Sequence, residues 1–380
     1  MSINERLHRL DNVMTDQNLD AYLATNTSDI RWLTGFSHVF DSEQAHAMLV
    51  SSSLLTNDPL RLLHTDMRYS GAMRQQNDGT LDVLDDERKP HSQFVIEQFT
   101  ALATSKYRDK TLRIGIETDL SLAVFRSLTK ALDESELGAY ELVELPGYIQ
   151  ALRAVKDLDE IQALKNAQQI TDAGFIHMLE FLKPGQSEAE VAVELEFFIR
   201  RIGSEDVSFS AIIGSGPNSA IPHAIPGKRQ LERGDFVVMD FGAKLDDYRS
   251  DMTRTVVIGS ASEYQREIYA TVLTAQLAAL VMISPGVKMV VPYDKVNAIF
   301  AEHGFEPLTH GLGHGVGIDI HEAPTMALKS EGELVVGHVV TVEPGIYIEG
   351  FGGVRIEDYG AVTESGFDNF TTSAKELVEL

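Results

Sequence analysis

The run FVVMDFGAKLDDYRSDMTRT, Phe236–Thr255, decides how the rest of the chain is read. It scans as two short strands joined by a turn, with Asp240 at the end of an apolar run and Asp251 inside a Thr-rich one. A carboxylate at an otherwise buried strand position is costly unless positive charge meets it. Two such carboxylates, eleven residues apart, suggest a bound cation.

The C-terminal half supplies further donors. His314 lies in a glycine-rich loop, HGLGHGVGIDIHEAP (His310–Pro324). Glu343 lies in GHVVTVEPGIYI and Glu357 in GGVRIEDYGAVT, both strand-like runs. A strand's period of two places Arg355 with Glu357 on one face, where Arg355 could orient that carboxylate or meet a substrate carboxylate. The same rule pairs Asp251 with Thr253, which makes Thr253 an expected support for Asp251. Four carboxylates call for about four positive charges, which two divalent ions supply. Two such ions, roughly 3.5–4 Å apart, can share a bridging hydroxide as nucleophile.

The order Asp240, Asp251, His314, Glu343, Glu357, within these surrounding words, resembles the "pita-bread" metallopeptidases, above all their proline-specific branch of Xaa-Pro dipeptidases (prolidases) and aminopeptidases P. The resemblance is strong from about Leu152 to Thr363 and weaker before it, where WLTGF and HTDMRY carry it. It implies an α+β pita-bread (creatinase/aminopeptidase) catalytic domain over 151–380 and a creatinase-like α/β domain over 1–150. It further implies a homodimer in which a loop of the first domain reaches the partner's active site. FSHVFDSE (36–43), with His38 and Asp41, is the candidate loop.

Composition bounds the alternatives. A chain of 380 residues is long enough for about two domains, and 43% hydrophobic with 23% charged residues is ordinary for a globular protein. A net charge of −25 repels nucleic acid and anionic membrane surfaces. There is no cysteine, which removes disulfides, thiolate ligands and cysteine nucleophiles. No run approaches the ~20 apolar residues of a membrane span, and the first twenty residues lack the apolar core of a secretory signal. The expected location is cytoplasmic.

Along the chain, Leu7, Leu10 and Val13 mark a first helix. AYLATN (21–26), IRWLTGF (30–36), HAMLVSS (46–52), RLLHTD (61–66) and LRIGIET (112–118) read as strands. Val95, Phe99 and Leu102 mark one helix and residues 121–132 another, so the first domain is α/β with a parallel or mixed sheet and no phosphate-binding glycine loop. Pro146-Gly147 ends the last strand of that domain, at its boundary with the second. Two helices follow, one with Ile161, Leu164 and Ile170 inward, the other opening on a capping box, Ser187 with Glu190, and burying Val191, Leu195 and Phe198. Helices over 263–283 and 294–304 separate the second donor from the third.

By resemblance, Asp240 holds one metal, His314 and Glu343 the other, and Asp251 and Glu357 bridge them. Glu343 is the proton acceptor, and His223, His310, His321 and Arg355 bind substrate or stabilise the transition state. The glycines at 311, 313, 315 and 317 argue against a helix, so His310 is not read as a ligand despite its spacing from His314. The donor set suits Mn²⁺, Co²⁺, Fe²⁺ or Zn²⁺ without choosing among them, and Mn²⁺ is the expected ion. Hydrolysis of the Xaa-Pro bond in dipeptides is the favoured activity. Aminopeptidase P activity on longer peptides is the alternative, and a creatinase-like hydrolase of a small non-peptide substrate a further one. A non-catalytic binding module would lose metal ligands, and all five are present.

Overall fold

A computed structural model describes residues 1–40, 46–52, 59–85, 89–106, 110–135 and 138–380, the side chains of 102–106 excepted. The chain divides into two compact units, Met1–Leu152 and Arg153–Leu380.

The N-terminal unit is built on a mixed six-stranded sheet in the order Asp82–Leu84, Arg61–Thr65, His46–Ser51, Ala21–Ala24, Leu112–Ile116, Tyr140–Glu144. Its middle joints are antiparallel, while the joints to Asp82–Leu84, Leu112–Ile116 and Tyr140–Glu144 involve parallel pairing. Val95 and Phe99 of the helix His91–Lys106 and Leu128 and Leu132 of the helix Leu122–Asp133 bury against it. The first helix, Ile3–Asp16, buries Leu7, Leu10 and Met14.

One expected strand is a helix. Thr27–Thr34 is helical, begun by Asn26, whose side chain accepts from the Asp29 N–H, and ended by Gly35 at φ 67°. The segment is too uniformly buried for periodicity to type it, and the N-cap Asn and C-terminal Gly were the diagnostic signals. Asp41 and the Leu102 side chain lie outside the described residues, so the candidate loop 36–43 is followed only to Phe40.

In the C-terminal unit two pairs of helices each back a sheet. Leu158–Phe181 and Glu188–Arg201, both opened by capping boxes, pack Leu164, Phe175, Val191 and Leu195 inward. Their sheet runs Val378–Glu379, Met252–Val257, Phe236–Phe241, Ile212–Ser215. Ile161, Ile170 and Phe198 are only partly buried, because Ala167, Thr171 and Ile199 take the innermost positions. Glu263–Met282 and Val290–Glu302 back the second sheet, Glu322–Met326, Gly313–Gly315, Val339–Val342, Asp358–Thr363, Gly366–Asn369. Gly345–Ile348 and Gly352–Arg355 form a separate ribbon.

The stretch read as two strands and a turn contains more. Phe236–Phe241 and Met252–Val257 do pair, with Thr253 opposite Asp240. Between them sits a small hairpin, Ala243–Leu245 with Tyr248–Arg249, turned by Asp246 and Asp247 at φ 51° and 66°. Aspartate tolerates that left-handed backbone better than most residues, which suits it to a two-residue hairpin turn.

Candidate active site

Each donor sits where a strand begins, ends or breaks. Asp240 is the penultimate residue of Phe236–Phe241, Asp251 immediately precedes Met252–Val257, and Glu343 immediately follows Val339–Val342. His314 is the centre of a three-residue strand with a bulge beside it, rather than part of a loop. Glu357 lies between two strands, fixed by its N–H donating to Thr253 O at 3.1 Å. Backbone pairing thus aims all five side chains into one cavity of about 770 Å³, which His223, His310, His321 and Arg355 also line.

Two of the glycines around His314 are there for space. A Cβ at Gly313 would lie 1.9 Å from Thr341 O, and one at Gly315 would lie 2.2 Å from Ala323 O. Neighbouring backbone can therefore approach closely on both sides of the imidazole.

His314 Nε2 lies 3.5 Å from Asp251 Oδ2 and 3.5 Å from Glu343 Oε1. Atoms of Asp251, His314 and Glu357 lie within 4.8 Å of one another. His314 Nδ1 contacts Gly315 O at 3.1 Å, and a carbonyl only accepts, so Nδ1 carries the proton and Nε2 offers its lone pair to the cavity. Burial lowers its pKa to about 4, keeping the ring neutral. Asp240 Oδ2 accepts from Arg355 Nη2 at 2.6 Å, while Oδ1 is buried without a hydrogen-bond partner among the described residues.

Burial pushes all four carboxyls upward, Glu343 to about 8, and mutual repulsion adds to this for Asp251 and Glu357. Arg355 is the cation that counters them. An orphaned carboxylate oxygen, a neutral imidazole with its lone pair inward and a surplus of buried acid all fit a hard divalent-metal site.

The structure reassigns two supporting contacts. Thr253 donates to Glu357 Oε2 at 2.7 Å and not to Asp251, because Asp251 precedes the strand and the period-two rule does not reach it. Arg355 pairs with Asp240, and its hydrogen-bond link to Glu357 runs through Thr253, whose Oγ1 accepts from Nε at 2.9 Å.

Tyr347 was not singled out from the sequence, although a period of two from Glu343 leads to it. Its hydroxyl accepts from Arg355 Nη1 at 2.8 Å and lies 3.0 Å from His310 Nε2. His310 Nδ1 donates to Gly311 O at 2.7 Å, so both its ring nitrogens are engaged. His223 is exposed on the rim, one residue after Pro222, whose carbonyl accepts from Arg355 Nη1 at 3.1 Å. His321 lies edge-on to His314, 4.3 Å between ring centres.

Residues 162–364 match the model of metallopeptidase family M24, and residues 6–155 that of the creatinase/prolidase N-terminal domain. The chain belongs to family M24. Its fold is therefore the pita-bread fold behind a creatinase-type N-terminal domain, and it is a metal-dependent peptidase. An Xaa-Pro dipeptidase of Pyrococcus horikoshii is 32% identical over 378 residues, 99% of each chain. Among solved structures, an Xaa-Pro dipeptidase from Bacillus anthracis superposes with a TM-score of 0.89 at 36% identity, covering 100% of both chains. An X-Pro aminopeptidase from Thermotoga maritima gives 0.83 at 30% identity, covering 96% of this chain and 98% of that one. Family M24 works with two metal ions, in keeping with the donors gathered here. No helix among the described residues is long and apolar enough to cross a membrane.

Proposed function

We propose that this M24 peptidase hydrolyses the Xaa-Pro bond of short peptides, with dipeptides as its preferred substrates. The observation that carries this is the convergence of Asp240, Asp251, His314, Glu343 and Glu357 in one cavity beside the Arg355–Tyr347–His310 chain. Relatives named Xaa-Pro dipeptidases that align over nearly the whole chain support the substrate class.

In this reading Asp240 would hold one ion and His314 with Glu343 the other, with Asp251 and Glu357 serving both. When bound, the ions supply Lewis acidity to a water and to the scissile carbonyl. Glu343 accepts the water's proton as its oxygen attacks the carbonyl carbon, then delivers that proton to the proline nitrogen as the C–N bond breaks. His223 and His321 face the developing oxyanion, and Arg355, steadied by Tyr347 and His310, fixes the substrate end. We further propose Mn²⁺ as the ion and a cytoplasmic homodimer as the setting, with the N-terminal domain (1–150) building the interface and the loop at 36–43 reaching the partner's site.

The test strips the protein with a chelator, reloads it with Mn²⁺, and offers an Xaa-Pro dipeptide, an Xaa-Pro-Xaa tripeptide and a proline-free control. Metal-dependent cleavage confined to the dipeptide is the expected result. Cleavage of the tripeptide moves the assignment to aminopeptidase P. No cleavage by a protein that binds two ions overturns the Xaa-Pro reading and turns attention to small non-peptide substrates.

A further inference from the structure

Arg355 is the source of a hydrogen-bond chain that runs one way only. A guanidinium can only donate. Its Nε–H donates to Thr253 Oγ1, so that oxygen acts as acceptor there and its single proton is left for Glu357 Oε2. Glu357 Oε2 is consequently an acceptor in this contact. The second guanidinium edge reaches Asp240 Oδ2 from Nη2. One cation thus restrains Asp240 directly and Glu357 through a single hydroxyl.

The Thr253 hydroxyl also faces Asp240, whose burial-raised pKa it helps to lower, but its 2.7 Å contact is with Glu357. Its residue is wholly buried, its strand register puts it opposite Asp240, and its carbonyl accepts the Glu357 N–H. The same threonine therefore grips Glu357 at backbone and side chain, 104 residues away in sequence.

We propose that Thr253 is the positioning residue for Glu357, and that its hydroxyl sets how tightly the pair of divalent ions sharing Glu357 is held. This rests on the five-donor reading of the site. Outer partners of metal ligands change metal affinity by about 10–100-fold when removed, and that is the size of effect assigned to this hydroxyl.

The experiment titrates Mn²⁺ calorimetrically into the chelator-stripped full chain as wild type, Thr253→Ser and Thr253→Val, with metal analysis of each. Melting of stripped and loaded samples runs beside it. Serine keeps the donor and acceptor, whereas valine keeps the shape and loses both. Wild type and Thr253→Ser should each take up two ions with similar affinity. Thr253→Val should bind the pair about 10–100-fold more weakly, and should gain less melting temperature on loading than wild type does, each measured against its own stripped form. Two ions bound to Thr253→Val as tightly as to wild type overturns the proposal, as does a serine variant as weak as the valine one. If Thr253→Val does not fold, Thr253→Ala is titrated against the same criteria. A wild type that fails to bind two ions overturns the metal-site reading beneath it, a different result from either.

Discussion

At the scale of single residues, the site depends on absences of atoms as well as on donors. Gly345 lies outside the left-handed backbone region, but a Cβ there would lie 2.5 Å from the Tyr347 hydroxyl oxygen and 2.6 Å from its ring carbon Cζ. Alanine must therefore push Tyr347 out from between Arg355 and His310. Hydrogen bonds to a charged partner are worth about 1.5–3 kcal/mol, so Gly345→Ala should lower kcat/KM by about 10–100-fold while two ions still bind. Tyr347→Phe should show the same loss. Unchanged kinetics in Gly345→Ala would show that the Tyr347 contacts are incidental to turnover.

At the scale of elements, the rim segment that carries His223 is held from behind by one carboxylate. Glu188, in the first turn of its helix and fully buried, accepts at Oε1 from the N–H and hydroxyl of Ser215, each at 2.8 Å, and from Asn218 Nδ2 at 3.0 Å. Its Oε2 accepts from Gly227 N at 3.2 Å. Both ends of the 215–227 segment are thus tied to a helix remote in sequence. Glu188→Ala leaves these buried donors without their acceptor, at a cost of about 3 kcal/mol. The expected outcome is a lower melting temperature and a raised KM, with metal stoichiometry retained. A raised metal requirement with unchanged KM would assign Glu188 to the metal centre instead. The helices over 158–201 and 263–302 were legible because caps and apolar spacing are local. The helix Thr27–Thr34 was not, since its residues are buried on nearly every side and spacing cannot type such a run. Thr253 was matched to Asp251 by the same local logic, although its partner is Glu357. Glu188 and Tyr347 escaped notice because their roles exist only once distant segments lie side by side.

At the scale of the whole molecule, stability carries a pH signature from the N-terminal unit. Burial raises the Glu117 carboxyl from 4.5 to about 7, while Oε2 accepts from Thr25 N and Asn26 N. Between those values the unfolded chain releases the proton and the folded chain keeps it. Folding is therefore favoured at low pH, and this contribution fades as pH rises from about 4.5 to about 7, by about 3 kcal/mol in total. Glu117→Gln should flatten the difference in unfolding free energy between pH 5 and pH 8, and an identical pH dependence in wild type and variant would refute the assignment. Arg254, wholly buried behind Thr253, donates to Glu357 O at 2.5 Å and to Ser373 O and Ala374 O at 2.8 and 3.0 Å. The strand Val378–Glu379 then closes the edge of Met252–Val257. All five donors are made by residue 357, yet the arginine that anchors the last of them still lacks three of its acceptors at that point, Asp358 Oδ1 with Ser373 O and Ala374 O. A chain cut after residue 357 would keep every ligand and lose the acceptors that lock the arginine behind them, so the tail belongs to the site although it donates nothing to it.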